Sequence, residues 1–174
     1  MSDQERVVAD SAYRAFVSYI DKSREFYDAQ QYERPYRWAR HDESPFTPLA
    51  KPLSESRIGL VTTAVNLDLP DDTDTEKLPV ASTFAAPVEP VPERLFTQSR
   101  SWDKEATHTN DLDSFFPIHH LQAAVEAGRV GSISERFYGI PTEYSQRRTN
   151  DADAPKLLEL IREDGVEVAL LVPL

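Results

Sequence analysis

The segment at residues 165–174, GVEVALLVPL, constrains the fold more than any other part of this sequence. It holds a nearly continuous apolar run at residues 166–172, directly after a glycine. Strands of a parallel sheet are covered on both faces, so they read as unbroken apolar runs and not as alternating ones. The segment therefore predicts a buried parallel strand, and with it an α/β protein.

The overall charge and the absence of cysteine exclude several functions. The net charge of −11 opposes binding to nucleic acid and to anionic membrane surfaces, because both would repel the chain. No run approaches the roughly 20 apolar residues of a spanning helix, and the N-terminus lacks the features of a signal peptide. We therefore expect a cytoplasmic protein that binds neither nucleic acid nor membrane. With no cysteine, the chain has no thiolate nucleophile of its own.

The first 55 residues predict a helix followed by an extended arm. Apolar residues spaced along residues 4–29 fit one face of an amphipathic helix. The next stretch is rich in proline and has no helical period, yet its Tyr32, Tyr36, Trp38 and Phe46 are too aromatic for a disordered linker. We interpret residues 1–55 as an N-terminal helix and an ordered aromatic arm.

Residues 56–174 predict an α/β domain with an incomplete sheet. A first strand covers residues 57–63, and an acidic, proline-rich loop follows it. Two helices are expected, one from Pro117 to a stop at Gly128 and one at residues 155–164, with Leu157, Leu158 and Ile161 facing inward. Two or three strands are too few to close a buried parallel sheet. The expected fold is thus a partial, mostly parallel, Rossmann-like sheet that a partner chain completes.

The densest group of chemically versatile side chains lies at residues 102–120, WDKEATHTNDLDSFFPIHH. Histidine and carboxylate are general acids and bases and are also ligands for zinc, iron or manganese. His119 and His120 are adjacent, so on a helix they point about 100° apart and are poorly placed to chelate one ion. We consider His108, His119 and His120 as metal ligands, but a structural role for at least one of the adjacent pair is the favoured interpretation. His108 is the best single candidate for a site residue.

Two adjacent arginines are candidates for substrate binding. Arg147 and Arg148 have the chemistry to clamp a carboxylate, although pairing with local carboxylates is the commoner role in so acidic a chain. The residues after the first strand, Thr62, Thr63 and Ala64, lack the glycines that a dinucleotide pyrophosphate needs. We therefore expect no nucleotide cofactor.

Several blocks of the sequence, taken together in order, are similar to one protein family. The blocks read RPYRWARHDESPFTPLAKPLSESRIGLVTTA, DKEATHTNDLDSFFPIHHLQ, GRVGSISERFYGIPTEYSQRR and APKLLELIREDGVEVALLVP. They resemble the glycine/sarcosine/betaine/D-proline reductase selenoprotein B family, and more closely its selenium-free bacterial relatives, with gaps from about Tyr19 onward. The resemblance implies an α/β fold in which the strand at 166–172 leads into a loop with a reactive selenocysteine or a CxxC-type cysteine pair. Members split a C–N bond of an amino-acid-derived substrate with electrons from thiols.

The resemblance also implies site residues, and the chain departs from the family at one decisive point. His108, Thr109 and Asp111 fall in the family's His-Thr and acidic pattern, whereas Asp103 and Lys104 match only the nearer relatives. His119 and His120 stand where the family has an acidic or basic residue. The sequence stops at Leu174, where the reactive loop is expected, and has no cysteine.

Three hypotheses follow from these observations. The first is a subunit of a heteromeric reductase-like enzyme, in which a second subunit supplies the C-terminal half with its CxxC-type loop. His108, Asp111 and Asp103 are then the catalytic candidates, and Thr109, Arg147 and Arg148 contact a small amino-acid-like substrate. The second is a non-catalytic binding or scaffold subunit. The third is a subunit of a metal-dependent enzyme that shares a divalent ion, held by histidine and carboxylate, with its partner.

Overall fold

The computed structural model describes residues 19–33, 42–43, 46–65, 81–98, 108–142 and 145–174. The chain divides into two compact units, Met1–Ser44 and Pro45–Leu174, whereas the sequence predicts a division between residues 55 and 56. In the first unit, helix α1 spans Tyr19–Ala29. The rings of Tyr27 and Tyr32 pack edge to face at its end, 5.4 Å apart. Residues 4–18 of the predicted helix, and Tyr36 and Trp38 of the arm, lie outside the described residues.

The second unit is a mixed α/β structure, which confirms the predicted fold class at that level. The elements are β1 (Arg57–Thr62), β2 (Phe84–Pro87), α2 (Ile118–Glu126), β3 (Ser132–Ile133), β4 (Arg136–Gly139), α3 (Gln146–Arg148), a π-helical turn (Thr149–Asp153), α4 (Ala154–Glu163) and β5 (Val168–Val172). Single turns of 3₁₀ helix precede β1 at Leu53–Glu55 and α2 at Leu112–Ser114.

Strand β1 lies at the centre of a mostly parallel sheet. β5 pairs with it in parallel along one side, and β3 and β4 pair with it in parallel along the other. Ile58 pairs with Ile133, and Val61 pairs with Tyr138. An interval of five residues on β3–β4 therefore lies opposite an interval of three residues on β1. β3 and β4 therefore behave as one strand interrupted by a bulge. β2 completes the sheet as an antiparallel strand beside β4.

Helices cover both faces of this sheet. On one face α2 packs over a cluster that includes Leu60, Phe116 and Phe137, all inaccessible to solvent. On the other face α4 packs over Val61 and Tyr138. The chain crosses from β1 to β3 through α2 and returns from β4 to β5 through α4. The two crossovers have the same hand but move in opposite directions across the sheet. Their helices therefore lie on opposite faces, as observed.

The structure corrects two details of the sequence analysis. Leu158, predicted to face inward, is 45% exposed, and Leu160 takes the buried position on α4. The predicted buried strand is parallel, as expected, but it is not buried, because β5 lies at an edge of the described sheet. Leu170 and Leu171 on β5 are 38% and 66% exposed.

Candidate functional site

The carboxyl ends of the parallel strands form the candidate site. β1, β4 and β5 end together at Thr62, Gly139 and Val172. Crossover helices run antiparallel to the strands that they connect, so α2 and the α3–α4 segment both begin at this edge. In open α/β sheets, ligands bind at the carboxyl ends of the strands. The topology thus brings residues 108–120 and residues 145–153 to the same end of the sheet.

Two threonines fix the end of β1. Thr62 is 1% exposed, and its hydroxyl accepts a hydrogen bond from the amide of Ala64 at 3.1 Å. The hydroxyl of Thr63 accepts from the amide of Leu174 at 2.8 Å and donates to the Leu174 carbonyl at 3.2 Å. Thr63 therefore links the segment after β5 to the segment after β1 and fixes their relative position at the carboxyl edge.

A buried carboxylate lies at the same edge, where the π-helical turn meets α4. Asp153 is only 6% exposed. Its Oδ1 accepts a hydrogen bond of 3.3 Å from the hydroxyl of Thr83, the residue before β2. Its Oδ2 lies 3.7 Å from Nε of Arg148, which is within ion-pair distance, but it has no hydrogen-bond partner in the described part of the chain. A buried carboxylate oxygen in this state keeps the capacity to accept a hydrogen bond from an N–H or O–H group.

Two further features lie in segments at the carboxyl edge, one after β4 and one before α4. The buried hydroxyl of Thr142, three residues after β4, also lacks a hydrogen-bond partner among the described residues. The π-helical turn from Thr149 to Asp153 inserts into an otherwise α-helical segment, and such turns occur frequently at functional sites. Asp153, the last residue of this turn, is its buried residue.

The histidines at the start of α2 have partners of their own. Nδ1 of His119 lies 2.7 Å from Oδ2 of Asp113, and the backbone amide of His119 donates to Oδ1 of the same carboxylate at 3.2 Å. His120 is exposed on the next helical position. Nδ1 of His108 accepts a hydrogen bond of 3.3 Å from the amide of Asn110, and Nε2 has no partner among the described residues. The Asp113 carboxylate thus binds both the ring and the backbone amide of His119 in the first turn of α2.

The structure places the predicted site residues in two groups. His108, Thr109 and Asp111 lie in the segment that leads into α2, and Arg147 and Arg148 lie on α3. Asp103 and Lys104 lie outside the described residues. Within the described ranges, no three His, Cys, Asp or Glu side chains are arranged to hold a metal ion. His108, His119 and His120 are therefore not brought together as a metal-binding group.

Sequence reasoning missed Thr83, Thr142 and Asp153 as site residues. The contact between Thr83 and Asp153 joins positions 70 residues apart. From the sequence, Asp153 could be interpreted only as an acidic residue near the start of a helix, where its charge interacts favourably with the helix dipole. The pairing of Arg148 with Asp153 agrees with the local-carboxylate interpretation of the arginines.

A second polar network, at the opposite end of the sheet, joins β4 to the end of α4. The guanidinium of Arg136 donates to both oxygens of Asp164, from Nε at 2.8 Å and from Nη2 at 2.8 Å. These bonds lower the pKa of Asp164 and raise that of Arg136. Burial, with a hydrogen bond to Asp164, raises the pKa of Tyr138 to about 12. The side chains of this network have hydrogen-bond partners within it, so we infer that the network stabilises the fold.

Comparison with known protein families, curated proteins and solved structures finds no match to this chain. No helix of the described residues is both long enough and apolar enough to cross a membrane.

Proposed function

We propose that this chain is a subunit of a heteromeric enzyme, in which a second chain pairs along the outer edge of β5. The pairing and the solvent exposure of that edge support the proposal. In the described part of the chain no strand pairs with β5 on the side away from β1, and Leu170 and Leu171 are exposed there. Exposed apolar edge strands are templates for pairing with another chain, and monomeric proteins usually protect them.

The register identifies which backbone groups the partner would bind. The carbonyls of Ile58 and Thr62 accept hydrogen bonds from the β3–β4 side, so Gly59 and Val61 face β5. In a parallel pair, each such residue bonds to the residues before and after its partner. Gly59 is in register with Ala169 and Val61 with Leu171. The N–H and C=O groups of Ala169 and Leu171 therefore point outward, toward the proposed partner.

The proposed activity is reductive cleavage of a C–N bond in a small amino-acid-like molecule. The resemblance to the selenoprotein B family supports this activity, and we assign the thiols to the second chain because residues 1–174 contain no cysteine. A thiol pair supplies two electrons and ends as a disulfide. The C–N bond is replaced by C–H, and the amine leaves with the second proton. A loop that follows a strand paired to β5 in parallel lies at the carboxyl edge, beside the candidate residues.

The chain's own residues would protonate and orient the substrate. His108 and Asp111, in the segment before α2, are the proposed acid and base, because both are exposed at the carboxyl edge. Thr109, Arg147 and Arg148 are the proposed contacts to the substrate carboxylate. Asp153, one of whose oxygens has no hydrogen-bond partner among the described residues, is the proposed acceptor for the substrate amine.

A scaffold role is the second candidate, favoured by the engagement of His119 with Asp113. Purification of the tagged chain from its source organism tests both. The reductase proposal expects a stoichiometric second chain with a cysteine-bearing loop, lost in Leu171→Pro and kept in Leu49→Pro, the same exchange at an exposed leucine outside the sheet. It also expects His108→Ala to abolish thiol-dependent release of amine. Activity unchanged in His108→Ala and Asp111→Asn would leave the scaffold role.

A further inference from the structure

A cleft of about 540 Å³ opens on the face of the sheet that α2 covers. It lies where β2 ends, beside the bulge between β3 and β4. Pro87, Val88 and Ile133 form an apolar floor. The volume is within the range of small-molecule sites, which is roughly 300–1,000 Å³.

The polar lining of the cleft is acidic. Glu89 and Glu135, both exposed, line the cleft together with Gln122 of α2. Oε1 of Glu89 accepts a hydrogen bond of 3.0 Å from Nε2 of Gln122, which orients this carboxylate. The backbone carbonyl of Glu135 accepts from the amide of Val88 at 2.9 Å, which fixes the backbone position of Glu135.

These carboxylates are not neutralised by neighbouring cations in the described residues. The cation next in sequence to Glu135 is Arg136, and its guanidinium is bound by Asp164 and Glu163 at the other face of the sheet. Neither Glu89 nor Glu135 forms an ion pair within the described ranges. Two negative charges above an apolar floor favour a ligand with a positive head and an aliphatic stem.

We propose that this cleft binds a small organic cation, a guanidinium or an ammonium group on a short aliphatic chain. The stem packs on Pro87, Val88 and Ile133, while the cationic head reaches Glu89 and Glu135. The site is independent of the proposed reductase activity. It shares no residue with the carboxyl edge and lies at the end of β4 opposite to the one that leads to Thr142.

Amide chemical-shift titration of the ¹⁵N-labelled chain with n-butylguanidinium tests the proposal, and n-butylurea is the uncharged probe of the same shape. We expect saturable shifts at Val88, Ser134 and the Gln122 side chain with the cation, and much weaker binding of the urea. Glu135→Gln and Glu89→Gln should each weaken binding by roughly threefold. Glu159→Gln removes the same charge from an exposed position on α4, which packs on the other face of the sheet, and should leave affinity unchanged.

Three results would overturn the proposal. They are the absence of saturable shifts at these residues, equal affinity for the urea and the guanidinium, and equal weakening by Glu159→Gln and Glu135→Gln. The last would mean that only the overall charge of the chain attracts the probe. All three variants exchange exposed glutamates, so we expect them to fold, and the amide spectrum reports this directly.

Discussion

The phenol of Tyr138 donates a hydrogen bond of 2.5 Å to Oδ2 of Asp164, the carboxylate that Arg136 also holds. Tyr138 is on β4 and is inaccessible to solvent, while Asp164 caps the C-terminal end of α4. The bond therefore joins the strand before the α4 crossover to the helix that leads into β5. Since β5 is the proposed partner edge, its position depends on this junction.

Removing the phenol should destabilise the chain. Tyr138→Phe leaves both the Asp164 carboxylate and the Ser134 hydroxyl, 3.0 Å from the phenol, without this partner in the core. We expect a loss of about 1–2 kcal/mol in the free energy of unfolding, measured by urea denaturation. Tyr32→Phe, the same exchange at a tyrosine that is 57% exposed, should change it by less than about 0.5 kcal/mol. Equal effects of the two exchanges would refute the assignment.

The contribution of Asp164 should depend on pH. Its hydrogen bonds with Arg136 hold its folded-state pKa below the unfolded value of about 3.9. The charged carboxylate therefore stabilises the fold above that unfolded pKa, and this stabilisation is lost as the pH falls through the folded-state pKa. Asp164→Asn should cost about 1–3 kcal/mol near neutral pH and progressively less in acid.

Denaturation curves of wild type and Asp164→Asn across acid and neutral pH measure this difference. Glu163→Gln provides the control, since Glu163 is 53% exposed and bonds Arg136 at 3.3 Å, so its removal should have little effect. A difference between wild type and Asp164→Asn that stays constant with pH would contradict the assignment.

The aromatic ring of Phe84 on β2 covers Gly139 on β4. A Cβ atom at Gly139 would lie 1.9 Å from Cε1 of Phe84, closer than any real contact. Gly139→Ala should therefore cost about 1–3 kcal/mol in the free energy of unfolding. In a Phe84→Leu background the same exchange should cost much less, and a double-mutant cycle measures the coupling. Additive effects would show that the ring does not require this glycine.

The register of β5 predicts that proline destabilises the fold much more at position 170 than at position 171. Leu170→Pro removes an amide that faces β1 and leaves the Gly59 carbonyl without its donor, which should cost about 1–3 kcal/mol. Leu171→Pro removes an outward amide, and edge strands tolerate proline in that orientation. Thermal unfolding of the isolated variants compares them directly. A larger loss for Leu171→Pro than for Leu170→Pro would mean that the assigned orientation is wrong.

Local sequence patterns predicted the elements that local rules determine. β1 follows from the apolar run at 57–63, and the ends of α2 and α4 follow from Gly128 and Gly165, both of which have positive φ. β2 was missed because Phe84–Pro87 is short, lies in a proline-rich stretch and depends on pairing with β4. The amino-acid pattern of β5 identifies a strand but not its place in the sheet, which depends on the topology.

The candidate site, like the fold, could be predicted only where local residue types indicate it. The types and spacing of the residues at 108–111 and at 147–148 indicated polar chemistry, and the crossover topology places both groups at one edge. Asp153 is buried and bonds Thr83, which is 70 residues away in the sequence, so no local pattern indicates this contact.

Site-resolved amide hydrogen exchange at Ala169 and Leu171, in the isolated chain and in the purified complex, tests the proposed edge pairing most directly. In the isolated chain, both outward amides should exchange rapidly while those of Leu170 and Val172 are protected by β1. In the complex, Ala169 and Leu171 should become protected. Protection of both amides in the isolated monomer, or their continued rapid exchange in the complex, would contradict pairing of a second chain along β5.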